Sequence, residues 1–147
     1  MNSSILYNPI GNFSRAALLL IFCVSLASCA RKIRFDNSSI VPAAQGTVKV
    51  KTDNNKNHQI KIDVRHLADP ARLTPPKSVY VAWIETEGKG PQNIGQLRTS
   101  SGLISNTLKA SLDAVSPFRP TRIFITAEDQ ANIEYPSSYV VLNTNSF

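Results

Sequence analysis

Residues 46–147 predict an all-β fold, two antiparallel sheets packed as a sandwich of about seven strands. Three observations carry this. Apolar and polar residues alternate over Thr47–Thr52 and again over Ile60–Arg65, turn-forming residues return at intervals of roughly 8–12 positions, and no long stretch holds a helical period. About 100 residues is also the size at which one such sandwich closes its core.

Thr47-Val48-Lys49-Val50-Lys51-Thr52 reads as a half-buried strand with one wet face. Asp53-Asn54-Asn55-Lys56-Asn57 is turn chemistry, because Asn and Asp tolerate left-handed backbone. Ile60, Ile62 and Val64 then alternate with Lys61, Asp63 and Arg65, which makes the two segments a hairpin. His58 and His66 share the parity of the apolar set and so bracket the inward face. Eight residues apart on a strand, they stand roughly 26 Å from each other, too far to share a metal. Leu67–Pro76 is a Pro-rich crossover between sheets, with Leu67 and Leu73 pinning it to the core.

Ser78–Thr86 is apolar on both parities, the pattern of a strand buried on two sides. It holds the only tryptophan, Trp83, on the third predicted strand, where immunoglobulin-like sandwiches keep a buried core Trp; the sandwich is therefore read as immunoglobulin-like. Gly88-Lys89-Gly90-Pro91 turns the chain, and Asn93–Arg98 is a short strand with a bulge at Gly95. After the Ser100-Ser101-Gly102 turn, Leu108, Ala110 and Leu112 share one face within Leu103–Leu112. Ile123–Ala127 is a second doubly apolar strand, 132–138 is a loop around Pro136, and Tyr139–Leu142 closes the fold.

Tyr80-Val81-Ala82-Trp83-Ile84, Asn93-Ile94-Gly95-Gln96-Leu97, Ile123-Phe124-Ile125-Thr126-Ala127-Glu128 and Tyr135-Pro136 occur in that order. Over residues 79–142 the chain resembles the extracytoplasmic domain of K-type anti-sigma factors. The resemblance lies in core and turn positions, so it implies a sandwich and not a chemistry. A cytosolic sigma-binding part and a spanning helix are not read in this sequence, and the regulatory activity is not carried over.

Ahead of the domain, Arg15 precedes an uncharged run, Ala16–Ala27, whose length suits a signal-peptide core and falls short of the ~20 residues that cross a bilayer. The run ends in Leu26-Ala27-Ser28-Cys29. This resembles the lipobox of bacterial lipoproteins. The resemblance implies that residues 1–28 are a signal peptide, that the bond before Cys29 is cut, and that the Cys29 thiol carries a diacylglyceryl group. Two or three acyl chains hold a protein stably on a membrane, where one does so only marginally. In that family Ala30 after the cysteine is compatible with the outer membrane. Residues 29–45 then read as a lipidated linker, a solvated tether that keeps the domain clear of the bilayer, to which the opening trio Arg31, Lys32 and Arg34 adds a minor contact with anionic head groups.

The chain has 147 residues and a net charge of +6. Beyond the trio, Lys49, Lys51, Lys61, Arg65, Lys77, Arg98, Lys109 and Arg122 stand apart in the sequence, which reads as solubility and attraction to anionic surfaces. No basic cluster interleaved with aromatics argues for nucleic acid. Of the two cysteines, Cys23 leaves with the signal peptide and Cys29 is taken by lipid, so the domain holds no disulfide. No Gly-x-Ser-x-Gly elbow and no Cys, His and Met set for copper are present, and neither a cofactor nor a metal is expected. The carboxylates Glu85, Glu87, Glu128 and Asp129 leave a small envelope hydrolase as an alternative, provided that the fold brings Glu85 within about 5–10 Å of Glu128. A regulatory or sensor domain related to anti-sigma factors is a further alternative. The expected function is that of a cell-envelope lipoprotein, held on a membrane through lipid on Cys29 and acting as a non-catalytic binding or structural module. Its partner would be an envelope protein or an acidic polymer, met by the loop cations Lys77, Lys89, Arg98 and Arg119.

Overall fold

A computed structural model describes residues 30–101 and 108–147. Residues 1–29, with the expected signal peptide, lipobox and Cys29, and residues 102–107 lie outside the described residues. Among the described residues nine strands form two antiparallel sheets: β1 (Arg31–Arg34), β2 (Gln45–Thr52), β3 (His58–Leu67), β4 (Val79–Thr86), β5 (Lys89–Gln96), β6 (Arg98–Ser101), β7 (Leu108–Ser116), β8 (Pro120–Glu128) and β9 (Val140–Asn143). The first sheet has the order β1-β2-β3-β7-β6 and the second β5-β4-β8-β9. With β2 to β9 taken as strands A, B, C, C′, D, E, F and G, this is the immunoglobulin arrangement of ABED against C′CFG. β1 adds an outer strand beside β2.

The core lies between the sheets. Val48 on β2, Ile60, Ile62 and Val64 on β3, and Ala110 on β7 face Tyr80, Ala82 and Ile84 on β4 and Ile123, Ile125 and Ala127 on β8. The hairpin register is Val48↔Ile62 and Val50↔Ile60. It is fixed at the turn, where Asp53 Oδ1 accepts from the backbone N–H groups of Asn55 (2.8 Å) and Asn57 (2.9 Å) and Lys56 takes φ +64°. The predicted bulge is present: Gly95 has φ +123°, and the β4–β5 register shifts beside it. Leu97 then carries the chain from one sheet to the other, buried and still bonded to Tyr80 O.

Three expectations are corrected. Residues 31–45 are not a free linker. β1 pairs with β2 from Arg31↔Val50 to Arg34↔Thr47, Phe35, Val41 and Ala44 are buried, and Asp36 N–H donates to Asn143 O of β9 at 2.8 Å. The reason is a short alternation, Lys32-Ile33-Arg34-Phe35, that becomes meaningful only beside β2. A Cβ at Gly46 would stand 2.5 Å from Phe35 Cδ2, so the glycine is what lets the ring dock. Second, His66 does not face inward. A bulge between Val64 and Leu67, with His66 at φ +56°, breaks the parity, leaves His66 exposed and buries Leu67 in its place.

Third, Trp83 is fully buried but not between the sheets. It sits on the outer face of the second sheet in a satellite cluster with Val81 and Phe124. The Trp83 and Phe124 rings stack with centroids 6.3 Å apart, and Trp83 Nε1 donates to Thr126 Oγ1 at 2.8 Å. The β8–β9 connection covers this face and packs Ile133 against it. Asn93, the register partner of Trp83, straps the connection down by donating from Nδ2 to Ala131 O and Ile133 O. The second sheet is thus buried on both faces, as the double apolar parity of β4 and β8 requires.

The crossover behaves as expected, with Leu67 and Leu73 buried and Asp69 capping a 3₁₀ turn, Pro70–Arg72. Tyr80 holds it from below, donating from Oη to Ala68 O at 2.9 Å. Burial first, then the neighbouring Asp69 and Tyr139, push the Tyr80 hydroxyl well above the ordinary tyrosine range.

Two predictions test these contacts. Phe35→Ala should lower the unfolding free energy by about 3 kcal/mol in denaturant titration, as expected for a buried ring; a free linker would give no change. Tyr80 binds its proton more tightly folded than unfolded, so its contribution is complete below the ordinary tyrosine pKa and is lost as pH rises through and beyond it. Thermal melts should therefore fall at alkaline pH more steeply for wild type than for Tyr80→Phe.

Candidate functional site: a cationic sheet face

The first sheet has one face in the core and one in solvent, so its outward positions are set by the residues buried opposite them. Because Val48, Ile60, Ile62 and Val64 point inward, Lys49, Lys51, Lys61 and Arg65 point outward. Pairing extends this to β1, where Ile33↔Val48 turns Lys32 and Arg34 outward, and to β7 and β6, where Lys109 and Arg98 join them. All eight cationic side chains are exposed. Against them stand two carboxylates, Asp63 and Asp113. The other described residues carry seven cations and eight carboxylates, so the net positive charge of the sandwich sits on this face.

The arrangement is also locally unfavourable. Lys32 lies opposite Lys49, and Lys49 opposite Lys61, a row of three lysines across three adjacent strands. Strands are ~4.8 Å apart, and like charges directly opposite are destabilising. The row ends at Asp113, whose Oδ1 is 3.9 Å from Lys61 Nζ. With side chains 52% and 75% exposed, that pair is screened and worth little. The neighbouring row runs Arg34, Thr47, Asp63, Ser111, Arg98. A groove of about 890 Å³ lies over this face, lined by Lys32, Arg34, Lys49, Arg65 and Lys109, with Asp63 the one carboxylate among its lining residues.

Cations with this spacing attract and hold anions. The sequence separates them across some eighty positions, and the reading of scattered charge is corrected accordingly. The signal that could have found the face was there, since Lys49, Lys51, Lys61 and Arg65 hold the polar parity of the predicted hairpin.

The other expected residues lie elsewhere. Lys77 precedes β4 and Lys89 follows it, so they stand at opposite ends of the second sheet; Lys77 pairs with Asp129 at 2.9 Å, and Lys89 lies over the Phe118 ring at 3.4 Å. The four loop cations therefore do not form one surface. Glu85 pairs with Arg122 at 3.0 Å, and Glu128 is buried, accepting from Ser137 N–H at 2.9 Å. In register Glu85 lies opposite Arg122, six residues from Glu128 along β8, a separation of about 20 Å. The fold does not bring the two together as glycoside cleavage would need. His58 sits at the start of β3 beside Thr52, and among the described residues no group of His, Cys, Asp or Glu is placed to hold a metal ion.

The lysine row yields a direct test. Lys49→Gln removes the central charge of three and should raise the melting temperature at low salt, by the equivalent of a few tenths to 1 kcal/mol. The gain should shrink in ~1 M salt, where the Debye length is about 3 Å. A destabilised variant at low salt would mean that the row is neutralised by contacts not described above. No family model, curated protein or solved structure matched this chain.

Proposed function

We propose that the chain is a cell-envelope lipoprotein, anchored to a membrane through lipid on Cys29, whose sandwich acts as a non-catalytic binding module for an acidic partner. The single observation that carries the binding reading is the outward face of the first sheet, with eight cations, two carboxylates and a lysine row opposed to itself. The anchor reading is supported by Leu26-Ala27-Ser28-Cys29 behind an uncharged run of signal-peptide length. In this reading residues 1–28 are removed, and Ala30 is compatible with a place on the outer membrane, facing the periplasm. The cations of the face stand without an exposed aromatic ring among them on which a base could stack, which favours an acidic surface or polymer over nucleic acid.

Growth of cells in radiolabelled palmitate tests the anchor. Wild type should take up label, and Cys29→Ala should take up none. Label persisting in Cys29→Ala would overturn the assignment. The label, and not membrane fractionation, is the readout, because an uncleaved apolar segment could itself hold the variant on the membrane.

A further inference from the structure

We infer that the acidic partner of the cationic face is the anionic lipid surface to which the chain is tethered, so that the sandwich lies with its first sheet against the head groups. This rests on the lipid anchor proposed above. The decisive observation is that β1 begins at Arg31. With Arg31–Arg34 paired to β2 and Phe35, Val41 and Ala44 buried behind them, Ala30 alone separates Cys29 from the first sheet. Two residue steps reach at most about 7 Å, so the sandwich cannot stand clear of the bilayer as a domain on a long linker would.

The point of attachment is also on the right sheet. β1 is the outer strand of the cationic sheet, and Lys32 and Arg34 project from its outer face next to the tether. The second sheet offers no competing surface. Its outer face is covered by the β8–β9 connection, Lys77 and Arg122 are already paired with Asp129 and Glu85, and Lys89 lies over the Phe118 ring. A plane of anionic head groups supplies counter-charge to Lys32 and Lys49, and to Lys61, whose pair with Asp113 is exposed and screened. Each cation held near such a surface strengthens contact by about fivefold, and the effect fades beyond a Debye length.

The experiment uses the full lipidated chain reconstituted into vesicles of phosphatidylcholine alone or mixed with phosphatidylglycerol, footprinted by lysine acetylation and mass spectrometry. Lys49, Lys51, Lys61 and Lys109 should react about fivefold more slowly on the anionic vesicles. Lys89, on the other sheet, should react equally on both, and ~1 M salt should abolish the difference. The triple variant K32Q/K49Q/K61Q should float with vesicles as wild type does, yet lose the protection of Lys51 and Lys109. Equal reactivity on both vesicles, with the protein still floating, overturns the docking and leaves the anchor standing. Failure to float with either vesicle overturns the anchor and the docking together. Protection that arises only on adding a soluble polyuronate overturns docking on lipid in favour of an acidic polymer lying in the groove.

Discussion

The burial of Val48, Ile60, Ile62 and Val64 is the constraint on which the rest of the molecule depends. Each of these side chains is 0–1% exposed, and burying one contributes roughly 1.5–3 kcal/mol. A slip of one residue between β2 and β3 would turn the inward set of one of the two strands to solvent. The capped Asp53–Asn57 turn and the inward apolar set therefore hold a single register, and that register leaves Lys49 facing Lys61. Opposing like charges costs a few tenths to 1 kcal/mol per pair, several times less than the apolar burial on the other side of the same strands. The cationic row is tolerated because the core outweighs it.

The two sheets use their second faces differently. β4 and β8 are apolar on both parities, and the chain closes their outer face with its own β8–β9 connection, sealed by Ile133 and strapped by Asn93. Charges near that layer are matched, as in Lys77 with Asp129 and Arg122 with Glu85. Among the described residues the first sheet has no such cover. Its strands alternate, broken only at the His66 bulge, many of its outward residues are long cations, and its carboxylates are too few to neutralise them. One sheet is completed within the chain, and the other presents a whole face to whatever lies outside.

Much of this architecture is legible in the sequence. The hairpin, the pinned crossover, the double burial of β4 and β8 and the bulge at Gly95 follow from local pattern and turn chemistry. What escapes is what depends on partners distant in the chain. Ile33 and Phe35 alternate over too few residues to declare a strand until Val48 and Gly46 stand beside them. Trp83 could not be assigned a layer, because both parities of β4 are apolar and periodicity is then silent on which side faces the core. His66 defeats parity because a bulge inserts one residue into the count. The cationic face is the instructive case: each lysine is predicted to be wet, but only the pairing of β1, β2, β3, β7 and β6 places them side by side.

Solubility and edge protection are the ordinary reasons for a basic sheet, and neither accounts for this one. Charge that serves solubility works wherever it is placed, and spreading it would avoid the opposed lysines. Charge that guards a sheet edge belongs on the edge strand, which explains Lys32 and Arg34 on β1 but not Lys49 on β2 or Lys61 on β3. Those two lie on interior strands already paired on both sides. A face that concentrates the net charge of the domain, at a local cost in stability, is what the proposed docking on an external counter-charge would require. The shortness of the path from Cys29 to β1 then narrows where that counter-charge lies. With a long linker the face could meet an acidic partner anywhere in reach of the tether, whereas in the proposed lipid-anchored form a single intervening residue would hold it within a few ångströms of the head groups.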